Sequence, residues 1–167
     1  MPDATLHAAR TTATLNNARN DTGRTAYCGP IVVAAIAGYS VSKVEAKIHE
    51  FRGRAPAPSS VVKGTYVDDV EGALAAFGYR MVQTEDYLDH ERRDRPTLST
   101  WMQKRRNAWA HYILAIHKGR EGHWILIKGV KMCDTFTNGR WVFACDGPHR
   151  SCRIMEVFEV KKDLGVG

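Results

Sequence analysis

An α+β domain, helices ahead of strands, is what the order of patterns along the chain predicts. Up to about residue 105 the apolar residues are small or recur at helical spacing, and beyond it they gather in short β-branched and aromatic runs bounded by Gly, Asn-Gly or Pro. Helical segments followed by antiparallel strands make an α+β arrangement. With 167 residues and 44% hydrophobic content, the chain has the material for one globular domain with its own core. We expect a flexible segment over 1–16 and a single domain over 17–167.

The elements follow in order. "CGPIVVAAIAG" reads as a short buried helix from Cys28, closed by Gly38 at the C-cap. In "SVSKVEAKIHEFRG" the residues Val41, Val44, Ile48 and Phe51 keep helical spacing, Ser42 and Glu45 can form a capping box, and Gly53 ends the segment. "RGRAPAPSSVVKG" is an extended loop with Gly64 as a hinge. A third helix is expected from Thr65 as N-cap through Val67, Val70, Leu74 and Phe77 to Gly78, then a short strand at "YRMV", a surface loop over 85–95 and a helix beginning near Thr97. "HYILAIHKG", "HWILIKGV", "KMCDTF", "RWVFACD" and "RIMEVFEV" are expected to form an antiparallel meander.

No apolar stretch matches a signal peptide or a bilayer span, so a soluble, cytoplasmic protein with no membrane partner is expected. Four unevenly spaced cysteines are too few for a disulfide scaffold and are read as thiols. The net charge of +6 could attract a polyanion, but the basic residues are scattered among acids, as in "DHERRDR", which argues against nucleic acid as a partner.

Cys28 is the first candidate for chemistry. A thiol at a helix N-terminus meets unpaired N–H groups and the positive end of the helix dipole, which favour thiolate over thiol. Gly29 leaves room for a substrate carbonyl beside the backbone, Pro30 gives up a donor that the first turn does not pair, and the Cys28 N–H can donate to an oxyanion. A small buried residue would suit the same position. A cysteine nucleophile needs a base. His123 opens an apolar strand directly after Gly122, whereas His111 and His117 lie on another strand and His7, His49, His90 and His149 in loops or on the amphipathic helix. A hairpin turning at Lys128 and Gly129 sets Asp134 opposite His123, where a carboxylate can orient the imidazole. Asp146 is the rival, but an Asn138-Gly139 turn sets Asp134 opposite Phe143 and Asp146 on the other face. Tyr27 and Trp124, beside the nucleophile and the base, are candidates for the wall of a substrate cleft.

The Tyr-Cys-Gly-Pro segment with its small apolar continuation, the Gly-His at the head of an apolar strand and the Asp-Thr of "GHWILIKGVKMCDTFTNGR" together resemble the papain-like cysteine peptidase superfamily. They are most similar to the small stand-alone papain-like proteins encoded by phages, which would place the protein in a host cytoplasm. The resemblance implies a papain-like fold with no cofactor, Cys28 as nucleophile, His123 as general base and acid, Asp134 as orienter, and a protein or peptide substrate. Many relatives of that kind carry a glutamine upstream of the cysteine as an oxyanion donor. Here the first glutamine is Gln83, so Asn20, or else Asn17, would have to serve. Acyl transfer to water, to an amine or from a glutamine side chain would all use these residues.

Two readings compete from other classes. Cys133, Cys145, His149 and Cys152 are of types that bind zinc, although the Asn-Gly register sets Cys133 and Cys145 on opposite faces. "WMQKRRNAW" mixes cations and tryptophans as nucleic-acid binders do. Its plainer explanation is a helix with Trp101 and Trp109 inward and the cations in water.

Overall fold

The computed structural model describes residues 15, 17–24, 27–54, 61–105 and 107–165. The expected flexible segment over 1–16 lies almost wholly outside the described residues. Four helices are present among the described residues, α1 (Cys28–Ala37), α2 (Val41–Phe51), α3 (Val67–Ala76) and α4 (Leu98–Lys104), with one 3₁₀ turn over Arg92–Asp94. Six strands, β1 (Tyr79–Asp86), β2 (His111–Lys118), β3 (Glu121–Lys128), β4 (Lys131–Cys133), β5 (Val142–Phe143) and β6 (Ile154–Lys162), form one antiparallel sheet in the order β1-β6-β2-β3-β4-β5. The α+β class expected from the sequence is the observed one, with no described helix long and apolar enough to cross a membrane.

Local chemistry explains most element ends. Gly38 takes the left-handed conformation (φ 73°) that stops α1 and returns its N–H to the Ala34 carbonyl. Thr97 caps α4 by accepting the Thr100 N–H on its hydroxyl. Two expected caps are corrected. The N-cap of α2 is Ser40, not Ser42: the Ser42 hydroxyl donates to Asp21, and Glu45 is buried against Arg24 instead of closing a capping box. The N-cap of α3 is Tyr66, not Thr65, and the Asp69 carboxylate accepts the Tyr66 N–H at 2.8 Å. Strand β1 runs four residues past "YRMV", into the segment expected to be a loop, because β6 supplies a partner over Tyr79–Asp86.

That partner also corrects the expected meander. Strands β2 to β5 follow one another across the sheet, but β6 returns to lie between β2 and β1. Alternate residues of the central strands then face two cores. On one side Ile113, Ala115, Trp124, Leu126 and Phe158 pack under α1, α2 and α3; on the other Leu114, Ile116, Ile125, Ile127 and Ile154 pack under Leu98 and Trp101 of α4. This two-sided burial is why β2 and β3 read as nearly continuous apolar runs.

Candidate active site

The site forms where β3 is left without a neighbour. Strand β4 pairs with β3 only from Leu126 to Lys128, so among the described residues the edge of β3 at His123 and Trp124 has no ladder partner on that side. The N-terminus of α1 fills the gap. Cys28, the first residue of that helix, accepts the Trp124 N–H on its sulfur at 3.3 Å and lines one cleft with the His123 ring. No acidic residue in the first turn of α1 offsets the positive end of its dipole.

His123 is held from behind. Its Nε2 lies 2.8 Å from Asp134 Oδ2, which leaves Nδ1 as the ring nitrogen for Cys28. Burial alone would push the imidazole down, but the hydrogen bonds to Asp134 and Cys28 outweigh it and raise His123 to about 9. Asp134 is fully buried, and burial opposes its charge. The hydrogen bonds from His123 and His149 win, holding the carboxyl well below the usual carboxylate range. Thr137 fixes the carboxylate by donating its N–H to Oδ1 at 3.0 Å.

His123 and Asp134 meet, though not by the expected register. Lys128 pairs with Lys131 around a turn centred on Gly129 (φ 58°) and Val130, so position 134 falls level with Ile125, two residues from His123. A shift of two keeps the same face, and the chain bends at Asp134, just beyond β4, back towards His123. Phe143 opposes Lys131, not Asp134, and Asp146 is exposed and takes no part.

The other expected site residues are placed as follows. Tyr27 lines a cleft of about 590 Å³ together with Cys28, Thr65, Lys118, His123 and Phe136. Trp124 is buried, and it contributes its backbone N–H to Cys28 and its indole N–H to the Thr65 carbonyl at 3.1 Å, so it is a support, not a cleft wall. Gly29 is not a window for substrate either. A Cβ there would lie 2.1 Å from Thr65 Oγ1, and the close approach of Thr65 is what requires glycine. Asn20 does not reach the cysteine: its amide donates to the Arg24 carbonyl at 2.7 Å, and its carbonyl accepts from Thr22. Asn17 accepts the Trp141 N–H. Neither is among the cleft-lining residues.

Several participants carried no readable signal. His149 is fully buried with Nε2 at 2.6 Å from the Asp134 oxygen that His123 shares, a contact its turn-like "DGPHR" setting does not suggest. Phe136 stands edge-on to both imidazoles, at 5.2 and 5.1 Å between centroids, with the Lys118 ammonium 3.4 Å from its own ring centre. Thr65 Oγ1 is buried without a hydrogen-bond partner among the described residues.

His123, Asp134 and His149 are also the one group among the described residues whose donor atoms lie close enough to share a metal ion. Their separations are those of hydrogen bonds, and both rings aim at the carboxylate oxygen itself, not at a common point between ligands. The zinc set suggested by the cysteines is not assembled. Cys133 is in the core, where burial and the nearby Asp134 charge push its thiol up to about 12, and Cys145 is exposed. The "WMQKRRNAW" segment is half as expected: Trp101 is buried, Trp109 is 66% exposed, and Arg105 turns back to the Gly129 carbonyl.

What the arrangement can do follows from its parts: a thiol at a helix N-terminus, a basic imidazole in the same cleft, a carboxylate behind that imidazole, and an open cleft over the sulfur. No protein-family model, no curated protein and no solved structure matches the chain.

Proposed function

We propose that the protein is a papain-like hydrolase that works through a cysteine nucleophile, a cysteine peptidase in its chemistry, acting on a protein or peptide substrate. The observation that carries this reading is Cys28 at the head of α1, in one cleft with a His123 that a buried Asp134 holds by Nε2. The resemblance in the Cys and His-Asp segments supports it independently.

In the proposed reaction Cys28 and His123 form a thiolate–imidazolium pair. Cys28 Sγ attacks the carbonyl carbon and forms a C–S bond, and the oxyanion is met by the Cys28 N–H. Thr65 Oγ1, buried at the cleft and over Gly29, is the second donor in place of Asn20. When the C–N bond breaks, His123 gives its proton to the departing amine. Water then attacks the thioester, His123 takes the water proton, and the acid leaves as the thiol–imidazole pair is restored. An amine in place of water would make the same site a transferase, and a side-chain amide as substrate would make it a deamidase.

Acylation is directly observable. Incubated with a small activated ester, the protein is expected to gain one acyl group on Cys28 by peptide mass spectrometry, and Cys28→Ala none. Thr65→Val is expected to slow acylation by about 10²-fold, the scale of a lost oxyanion donor. Acylation spread over Cys28, Cys145 and Cys152 alike would contradict the proposal.

A further inference from the structure

Asp134 serves two histidines, and the reaction just proposed uses only one. Its Oδ1 accepts the Thr137 N–H, and its Oδ2 lies 2.8 Å from His123 Nε2 and 2.6 Å from His149 Nε2. For both rings to donate to one oxygen, each must carry a proton on Nε2. The surroundings of His149 fit that tautomer: its Nδ1 faces the Cys152 sulfur at 4.0 Å, where a thiol can donate, and the Cys152 N–H returns to the His149 carbonyl at 3.0 Å. The ring has no exposure, and Phe136 lies edge-on against it and His123 together. A buried, fully oriented second imidazole on the orienting carboxylate is more than packing requires, since an apolar ring of that size would fill the space without needing a partner.

We infer that His149 is a positioning residue for the Cys28–His123 pair: its Nε2–H fixes the Asp134 carboxylate and takes a share of the Oδ2 charge that would otherwise fall on His123 alone. The inference rests on the cysteine-nucleophile reading above. The charge on one carboxylate oxygen divides between its donors, so each hydrogen bond is weaker than it would be alone. His123 is therefore tempered, basic enough to hold the proton from Cys28 and still able to release it to a leaving group. Other charged or titratable groups around His123 are Cys28 from α1, with Tyr27, Lys118 of β2 and Glu121 of β3 lining the same cleft, and Cys152 behind His149.

The test is the pH profile of Cys28 carboxymethylation by iodoacetate, read by mass spectrometry in the wild type, His149→Phe and His149→Gln. An anionic reagent is favoured only while the imidazolium beside the thiolate keeps its charge, so the alkaline limb of the profile reports on His123. In His149→Phe, which fills the space without a donor, the alkaline limb is expected to move up by about half to one pH unit, the scale of one charge-assisted hydrogen bond. In His149→Gln, whose amide can still donate, it is expected to stay near the wild-type position. A bell-shaped wild-type profile with the same limbs in a folded His149→Phe would overturn the inference and leave the proposed function standing. A wild-type Cys28 no more reactive than Cys145 would remove the proposed function and the inference with it. Because a phenyl ring at a fully buried site can prevent folding, ¹⁵N spectra of the histidine rings in the wild type provide a second reading. The His149 proton is expected on Nε2, and a proton on Nδ1 instead would overturn the inference.

Discussion

Gly29 and Gly38 begin and end the same helix, and alanine at either costs stability for a different reason. At Gly29 the added methyl would meet Thr65 Oγ1 at 2.1 Å and its carbons at 2.7 Å, so Thr65 and the cleft beside it must shift. The expected loss is about 1–3 kcal/mol, typical of overpacking. At Gly38 nothing among the described residues lies within 4 Å of the added methyl, and the expected loss of about 1–2 kcal/mol comes from the left-handed backbone. Denaturant midpoints measure both, and only Gly29→Ala is expected also to alter Cys28 reactivity. Gly38 was legible in the sequence because a C-cap is a local event. The role of Gly29 was not legible there, because its reason, Thr65, is brought in from another loop.

At the scale of elements, the His123–Asp134 pair ties the end of β3 to the loop beyond β4, and its contribution to stability has a pH window. The folded value of His123 lies above the ordinary imidazole value of 6.5, so its contribution is complete below 6.5 and is lost as the pH rises through about 9. The value of Asp134 lies below the ordinary 3.8, so its contribution is complete above 3.8 and is lost on acidification. Urea unfolding across this range is expected to show a stability difference between wild type and His123→Ala that is largest between about pH 4 and 6.5 and shrinks towards pH 10. A difference constant with pH would contradict the pairing. Element limits set by caps and spacing, at Cys28, Phe51 and Thr97, were readable from a few neighbouring residues. Register was not: placing the turn one residue early moved the partner of His123 by two, and the pairing of β6 with β1 and β2 depends on contacts that no short window contains.

The whole molecule is a sheet covered on both faces, with the sulfur delivered from one face and the imidazole, carboxylate and second histidine held at the end of β3. The α+β class was readable because most helical spacing lies before about residue 105 and most short β-branched runs after it, with β1 the exception. The three residues proposed for chemistry were readable because each sits at an element end with a distinct neighbour: Gly29-Pro30 after Cys28, Gly122 before His123, Thr135 after Asp134. His149, Thr65 and Phe136 were not, since what makes them matter is distance in space alone. Activation of Cys28 by His123 would show in the rate of Cys28 alkylation with iodoacetamide as a function of pH, read peptide by peptide in the wild type and in His123→Ala. Labelling of Cys28 is expected near neutral pH well ahead of the exposed Cys145, with that advantage lost in His123→Ala. Labelling of Cys28 at the pace of Cys145 and indifferent to His123 would contradict it.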